Sequence, residues 1–180
     1  MQPPNSANNS EHPVEDFWRV SCRFYESPSV SEYLLELQNK QAKNINELLF
    51  ALWVSHFYRT ALPVEVVERI YSLAERSKSW TGNIRDTRFE LEQQWQVPYP
   101  EKIKSARNAM LETELKIERL HQQKMVEALV DELATTSLAQ YSDDEELLLL
   151  NLTRCCGEAD AESDYLQLIM LWQQFLHTNQ

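Results

Sequence analysis

The scarcity of glycine constrains the fold of this chain more than any other feature. The 180 residues include two glycines, Gly82 and Gly157, whereas a chain of this length carries roughly a dozen on average. Tight β-hairpin turns depend on glycine because they need positive φ angles. The dinucleotide fingerprint, the phosphate-binding P-loop and the nucleophile elbow all need neighbouring glycines. The sequence therefore disfavours a β-rich fold and excludes these three kinds of site.

Composition and charge narrow the class of protein further. Hydrophobic residues make up 43% of the chain, enough for a buried core. Three cysteines, two of them adjacent, do not form a disulfide framework and fit a reducing compartment. The N-terminus resembles no signal peptide, and no apolar run approaches the ~20 residues of a membrane span. A net charge of −11 argues against general nucleic-acid binding. We expect an acidic cytoplasmic protein.

Apolar residues recur at helical spacing through most of the chain. Over residues 14–25 they follow the i, i+3, i+4, i+7 pattern of one helical face. Ser29 with Glu32, and Asn44 with Glu47, form capping-box patterns that predict the starts of two further helices. The helix after Asn44 is apolar on almost every side, which indicates a central helix packed against several neighbours.

The positions of proline and glycine predict the ends of the remaining helices. Pro63 predicts the first turn of a helix that ends at a break over residues 79–83, before a helix over 84–95. No proline or glycine lies between Glu101 and Leu133, which predicts one long amphipathic helix. Two short helices follow, separated by Gly157. The predicted fold is all-α: a compact multi-helix bundle with a long amphipathic helix and a C-terminal helical hairpin.

Charge and composition divide the chain into three parts. Residues 1–12 lack periodic apolar positions and predict a disordered leader. Residues 13–140 form the predicted helical domain, and residues 141–180 an acidic C-terminal helical extension that carries −7 of the net charge of −11. Its acidic groups precede helices, where they would stabilise the positive helix N-termini. They could also steer a basic partner protein.

Short acidic and thiol motifs predict no catalytic or metal centre. Glu118 and His121 share one helical face, but a di-iron bundle needs a second such pair, so we expect a solvated helix face. Asp160 and Asp164 are spaced as in enzymes that hold magnesium and diphosphate, yet a strong second acidic motif is missing. The adjacent cysteines lack zinc-site spacing. We therefore predict no catalytic residue, no metal and no cofactor.

Two regions could still bind a ligand or a partner. His56 lies within the apolar central helix, where a histidine is more often a hydrogen-bonded core or pocket-edge residue than a metal ligand. The segment around Trp80 is locally basic, with Arg85 and Arg88 following it. It could receive an anionic ligand, an acidic surface or the chain's own acidic extension. The plainer interpretation is a solvated linker beside a buried tryptophan.

The N-terminal half carries a recognisable signature. Its members are Phe17, Trp18, Ser21, Tyr25, Pro28, Val30, Leu37 and Gln38, followed by Asn44, Ile45, Asn46, Leu48, Leu49, Phe50, Leu52 and Trp53, with Trp80 as the next matching tryptophan. The pattern resembles a family of small proteobacterial proteins known only as a domain of unknown function, over roughly residues 15–130. Asn44 stands where the family pattern has aspartate, and Glu47 where it has leucine. The resemblance implies a bacterial cytoplasmic helical protein and supplies no catalytic residues.

The polar members of the signature suggest a binding surface. Capping accounts for Asn44 and could account for Asn46, but Ser21 and Gln38 have no local structural duty, so they could line a polar pocket or a partner groove. The candidate binding residues are Trp18, Ser21, Gln38, Asn46, His56, Trp80, Arg85 and Arg88. Trp53 is expected in the core, and Trp80 and Trp95 on the surface.

Three hypotheses for function follow. The first is a non-enzymatic interaction or regulatory module that docks a protein partner through exposed aromatic residues. The second is a small-ligand-binding protein or an enzyme with a pocket in the helical bundle near His56. The third is a structural homodimer that forms through the long helix.

Overall fold

The computed structural model describes residues 13–94, 100–136, 141 and 144–178. Within these ranges it has seven helices and no strand: α1 (Pro13–Tyr25), α2 (Pro28–Gln41), α3 (Ile45–Tyr58), α4 (Val64–Gln94), α5 (Pro100–Thr135), α6 (Asp144–Cys156) and α7 (Glu162–Thr178). The predicted all-α bundle, long helix and C-terminal hairpin are confirmed. The predicted leader, residues 1–12, and Trp95 lie outside the described residues. No described helix is long and apolar enough to span a bilayer.

The start of α2 differs from the predicted capping box. Pro28 occupies the first turn, where its missing N–H would have had no intrahelical acceptor. Ser27, with φ −72° and ψ 123°, is the N-cap residue, and its side chain makes no capping hydrogen bond. The hydroxyl of Ser29 lies 3.1 Å from that of Ser27. The proline therefore sets the start of the helix, and the predicted cap at Ser29 is wrong.

The central helix α3 begins as predicted. The Asn44 side chain accepts a hydrogen bond of 2.9 Å from the backbone N–H of Asn46, which confirms the N-cap. Every residue from Glu47 to Ser55 is buried, because α3 contacts α1, α2, α5 and α6. The helix ends at Tyr58, and its C-cap residue Arg59 adopts a left-handed conformation with φ 51°.

One predicted helix break is wrong. The structure continues α4 through residues 79–83, so a single helix replaces the two that were predicted. Gly82 has no atom within 4 Å of the position that a Cβ would occupy, so no close approach of another element explains its presence. A glycine inside a helix costs about 1 kcal/mol relative to alanine. The extensive packing of α4 against α5 outweighs that local cost.

An aromatic core joins the first and last helices. Phe17 packs against Trp53 with ring centroids 5.1 Å apart, and Phe24 packs edge-on against Trp172 at 5.0 Å. Asn151 of α6 is fully buried and bonds to the α3–α4 connection through Leu62 N–H, 2.7 Å. The C-terminal extension thus contributes to the same buried cluster as the helices before it. We call this cluster the body.

The α4–α5 hairpin changes character along its length. Its apolar buried residues in α4 reach as far as Ala74, and those in α5 begin at Met125. Further from the body, the residues described as buried are all polar: Ser77, Thr81, Glu114, His121 and Gln122. We call this outer part of the hairpin, residues 77–94 of α4 and 100–122 of α5, the arm.

Candidate functional site

Four helices meet around residues 114–122 of α5, and their polar side chains form the inner end of the arm. The hydroxyl of Ser77 lies 3.2 Å from His121 Nδ1. Gln122 Nε2 donates to Asn46 Oδ1 over 2.7 Å. The charge of Glu118 acts on Tyr25, which places α1 beside the same stretch of α5. We call this group the polar junction: Ser21, Asn46, Ser77, Arg85, Arg88, Glu114, Glu118, His121 and Gln122.

Glu114 is the electrostatic centre of the polar junction. Its carboxylate is 4% exposed. Arg85 donates to Oε1 from Nε at 2.9 Å and from Nη2 at 2.6 Å, and Arg88 Nη2 lies 3.3 Å from Oε2. Glu118 lies 3.6 Å from Arg85, and its pKa is raised by burial and by the charge of Glu114. Two guanidinium groups therefore hold a buried carboxylate between α4 and α5, as charge-assisted bonds do.

His121 is a neutral histidine at the inner edge of this site. Burial lowers its pKa to about 4, so the ring is uncharged at neutral pH. The expectation that Glu118 and His121 form a solvated face is wrong for His121, which is 5% exposed. The side chain lies against Ser77 of α4. A buried imidazole without a paired anion is stable only in its neutral form.

Four buried polar atoms of the polar junction lack a hydrogen-bond partner in the described part of the chain: Ser21 Oγ, Arg88 Nε, His121 Nε2 and Gln122 Oε1. Ser21 lies on α1 between Trp18 and Tyr25, one helical turn from each, on the face that meets α5. Buried polar groups are normally satisfied by protein or by ordered water. The site therefore has unused hydrogen-bonding capacity at the meeting point of α1 and α5.

The chemistry of this arrangement favours structure over catalysis. Ser77 and His121 form a serine–histidine pair, yet the Ser77 hydroxyl also donates to the carbonyl of Ala74, 3.2 Å away. An activated serine needs a base that a third group orients, and among the described residues no carboxylate accepts a hydrogen bond from His121. No group of three or more His, Cys, Asp or Glu side chains in those residues could hold a metal ion.

The structure brings together most of the residues selected from the sequence. Ser21, Asn46, Arg85 and Arg88 belong to the polar junction. Trp18 lies beside it, with the guanidinium carbon of Arg119 5.5 Å from the ring centroid. Arg119 in turn bonds to the carboxylate of Glu15 at 2.6 and 2.7 Å.

The other selected residues lie elsewhere. Gln38 is half-buried on α2. His56 is on the exposed side of α3, with its ring 4.7 Å from Phe57 and 6.3 Å from Trp172 between centroids. Burial lowers its pKa, and the nearby charge of Asp144 opposes that effect. His56 lines neither of two surface concavities, one of which lies along α5 and the other between α4 and α5.

One of these concavities is a groove of about 690 Å³ between α4 and α5. We call it the hairpin groove. Its lining comprises Glu65, Glu68, Arg69, Ser72, Leu73 and Arg76 from α4, and Lys124, Glu127, Ala128 and Asp131 from α5. Four of these side chains are acidic, and they lie towards the start of α4 and the end of α5. Arg76 and Lys124 lie at the opposite end, so the charge changes sign along the groove.

Exposed apolar side chains continue the hairpin groove towards the arm. Trp80 is one turn beyond Arg76 and is 55% exposed, and Leu120 is one turn beyond Lys124 and is 48% exposed. The pairing of Ser77 with His121 and of Arg85 with Glu114 fixes the antiparallel register. That register places Trp80 level with Leu120 across the hairpin. Trp80 is exposed and lies within α4, so the plainer interpretation of a linker beside a buried tryptophan is wrong and the alternative of an exposed Trp80 is confirmed. The predicted burial of Trp53 in the core is confirmed, since Trp53 is 1% exposed.

Sequence reasoning missed Glu114, Gln122 and Leu120 as members of these surfaces. A signal for the first two existed: the buried stripe of Met125 and Leu129 continues backwards at helical spacing to Gln122, Glu118 and Glu114. Polar residues in that stripe indicate a polar interface between helices. Leu120 could not be placed without the register of α4 against α5.

Comparison with known proteins supports the family resemblance. No curated protein and no solved structure matches the chain. A family model described as "Protein of unknown function (DUF2390)" matches residues 16–125. This range runs from α1 to the first buried apolar residue of α5 and so includes the whole polar junction. The chain belongs to the DUF2390 family of proteins of unknown function.

Proposed function

We propose that this protein is a cytoplasmic, non-enzymatic interaction module that binds another protein through the hairpin groove and the adjoining Trp80–Leu120 pair. The observation that carries the proposal is the exposure of these two large apolar side chains, 55% and 48%, at the same level on one face. Tryptophan is among the residues most enriched at interface hot spots. A groove between two helices that ends in such anchors is suited to a helical partner.

The polar junction supports this role by holding α4 and α5 together next to the binding face. Arg85, Arg88 and Glu114 tie α4 to α5 directly beyond Trp80. The two helices are thereby held in one register, so the binding face is formed before a partner arrives. A pre-organised surface loses less conformational entropy on binding. The thiols of Cys22, Cys155 and Cys156 are free, which fits a reducing compartment.

The test compares two exposed aromatic residues on α4. Trp80→Glu places a charge on the proposed surface. Phe89→Glu is the matched control, since Phe89 is 60% exposed and lies nine residues along the helix, on the opposite flank. Each tagged variant is used to capture partners from its native host, with circular dichroism to verify folding.

We expect Trp80→Glu to remove a partner that wild type and Phe89→Glu both retain. Truncation of a central anchor commonly costs binding about 2 kcal/mol or more, or about thirtyfold in affinity. If the captured proteins are the same for Trp80→Glu as for wild type, this face is not the binding surface.

A further inference from the structure

We propose that the partner of the hairpin groove is a second copy of the same chain, docked antiparallel so that α4 of one copy crosses α4 of the other at Ser72. This inference rests on the proposed function and names its partner. It is carried by the order of charges, small residues and apolar anchors along the groove. When a second copy lies in the opposite direction, that order places complementary side chains opposite one another.

The side chains at the centre of the groove are small. Ser72 and Ala128 lie there, facing the same concavity from α4 and α5. The Ser72 hydroxyl donates to the carbonyl of Glu68, 3.1 Å away within its own helix, so its hydrogen-bonding capacity is used locally. Small residues at a crossing point let two helices approach closely. A two-fold axis through Ser72 would therefore meet small side chains at Ser72 and Ala128, with Leu73 as the larger neighbour in the groove lining.

The charges on either side of this point are opposite. Glu68 lies one turn before Ser72, and Arg76 lies one turn after it, both lining the groove. An interface with two-fold symmetry brings residue i against residue j and residue j against residue i. With Ser72 on the axis, Glu68 of each copy meets Arg76 of the other, and two identical ion pairs form.

The flanking charges of α5 follow the same order. Glu127 and Asp131 line the groove on the side of Glu68, and Lys124 lines it on the side of Arg76 and lies 2.6 Å from the Glu127 carboxylate. Arg69 sits among the acidic residues, where it lies 3.8 Å from Asp131. A parallel arrangement of two copies would bring like ends together, so the charge order selects the antiparallel arrangement.

The apolar anchors have matching positions. Trp80 is eight residues after Ser72, and Val64 is eight residues before it; Val64 is 61% exposed. The same axis places Val64 of each copy over Trp80 of the other. Leu120, level with Trp80, completes this contact. The exposed side chains of Val64, Trp80 and Leu120 would thus be covered by a single operation, together with the ion pairs.

The test is sedimentation velocity on the full chain over a range of concentrations, at physiological ionic strength. We expect a concentration-dependent dimer for wild type and for Phe89→Glu. Trp80→Glu should weaken self-association at least tenfold. Arg76→Glu brings two carboxylates together at each of the two symmetric contacts, and Glu68→Arg brings two guanidinium groups together. Each should weaken the dimer by about tenfold, given the strength of surface charge pairs.

Mixing the two charge variants tests the arrangement itself. In a heterodimer of Arg76→Glu with Glu68→Arg, every contact again joins opposite charges, so we expect the mixture to associate more tightly than either variant alone. The double variant Glu68→Arg/Arg76→Glu should also recover self-association. A dimer that weakens with Trp80→Glu but shows no recovery on mixing would overturn the antiparallel crossing at Ser72.

Self-association and partner capture fail in distinguishable ways. A wild-type chain that stays monomeric at every concentration overturns the inference. If such a monomer still captures a different protein that Trp80→Glu loses, the interaction face is retained and the second copy is rejected as its occupant. If neither self-association nor capture responds to Trp80→Glu, the proposed function fails as well.

Discussion

Glu47 in the body and Glu114 in the arm are 5% and 4% exposed, respectively, but their surroundings differ. Glu114 accepts hydrogen bonds from Arg85 and Arg88. Within the described residues, no hydrogen bond or ion pair reaches Glu47. Burial raises the pKa of Glu47 to about 7, and the charge of Glu75 adds to that effect, while Lys78 and Lys43 oppose it.

The two glutamates show how differently the two regions tolerate charge. The arm has almost no apolar burial of its own, so its polar contacts hold α4 against α5. The body buries a large aromatic cluster and remains folded despite one uncompensated carboxyl group. Removing the charge of Glu114 should therefore destabilise the arm, and removing the carboxyl group of Glu47 should stabilise the body.

The largest effect is expected for Glu114→Gln. Among the described residues, the change leaves Arg88 without its anion and Arg85 with only Glu118, 3.6 Å away. Breaking a buried ion pair costs about 3–5 kcal/mol, and we expect about 2–3 kcal/mol here because the two arginine side chains are 41% and 21% exposed. Urea unfolding measures the loss, and hydrogen exchange should locate it in the arm.

The control for that substitution is Glu112→Gln, on an exposed position of the same helix. Exposed substitutions of this kind usually change stability by less than about 0.5 kcal/mol. Equal effects of the two variants, or faster exchange in α3 instead of the arm, would contradict the assignment of Glu114 as the electrostatic support of the arm.

Glu47→Leu is expected to stabilise the protein, by an amount that depends on pH. The pKa of the carboxyl is near its ordinary value of 4.5 in the unfolded chain and about 7 in the folded protein. As the pH rises between these values, the unfolded state releases the proton first, so the wild-type protein loses stability. The loss is complete above pH 7 and amounts to at most about 3 kcal/mol. Glu47→Leu should therefore stabilise the protein most at pH 8 and least below pH 5.

The quantity to measure is the difference in the free energy of unfolding between the variant and the wild type. His121 contributes with the opposite sign, because its pKa is lowered from 6.5 to about 4, so its stabilisation is lost as the pH falls through that range. Subtraction removes this shared contribution. Glu32→Leu, at an exposed position of α2, is the control for the same change of side chain outside the core. A pH-independent gain for Glu47→Leu would mean that the carboxyl is ionised in the folded protein.

The body was more predictable from the sequence than the arm, for a physical reason. The cap at Asn44 and the all-round burial of α3 are encoded within one or two helical turns. The continuity of α4 through residues 79–83 depends on α5, which lies about forty residues further along the chain. His121 is buried for the same reason, since its neighbour Ser77 is 44 residues away in sequence. The family pattern gave one further clue, because leucine in place of Glu47 indicates a buried position.

The smallest predicted effect tests whether the arm is a continuous helix. Gly82→Ala adds a methyl group that meets no atom within 4 Å and removes the entropic cost of a helical glycine, so it should stabilise the protein by about 0.5–1 kcal/mol. Gly157→Ala is the reciprocal case: φ there is +71°, and the left-handed conformation costs a residue with a Cβ about 1–2 kcal/mol. In thermal unfolding, Gly82→Ala should raise the melting temperature and Gly157→Ala should lower it. Hydrogen exchange should show that the gain in Gly82→Ala is confined to the arm. A loss of stability in Gly82→Ala would mean that residues 79–83 need the freedom of glycine. The arm would then be two helices with a joint beside Trp80, and the register that aligns Trp80 with Leu120 would no longer be fixed by the polar junction.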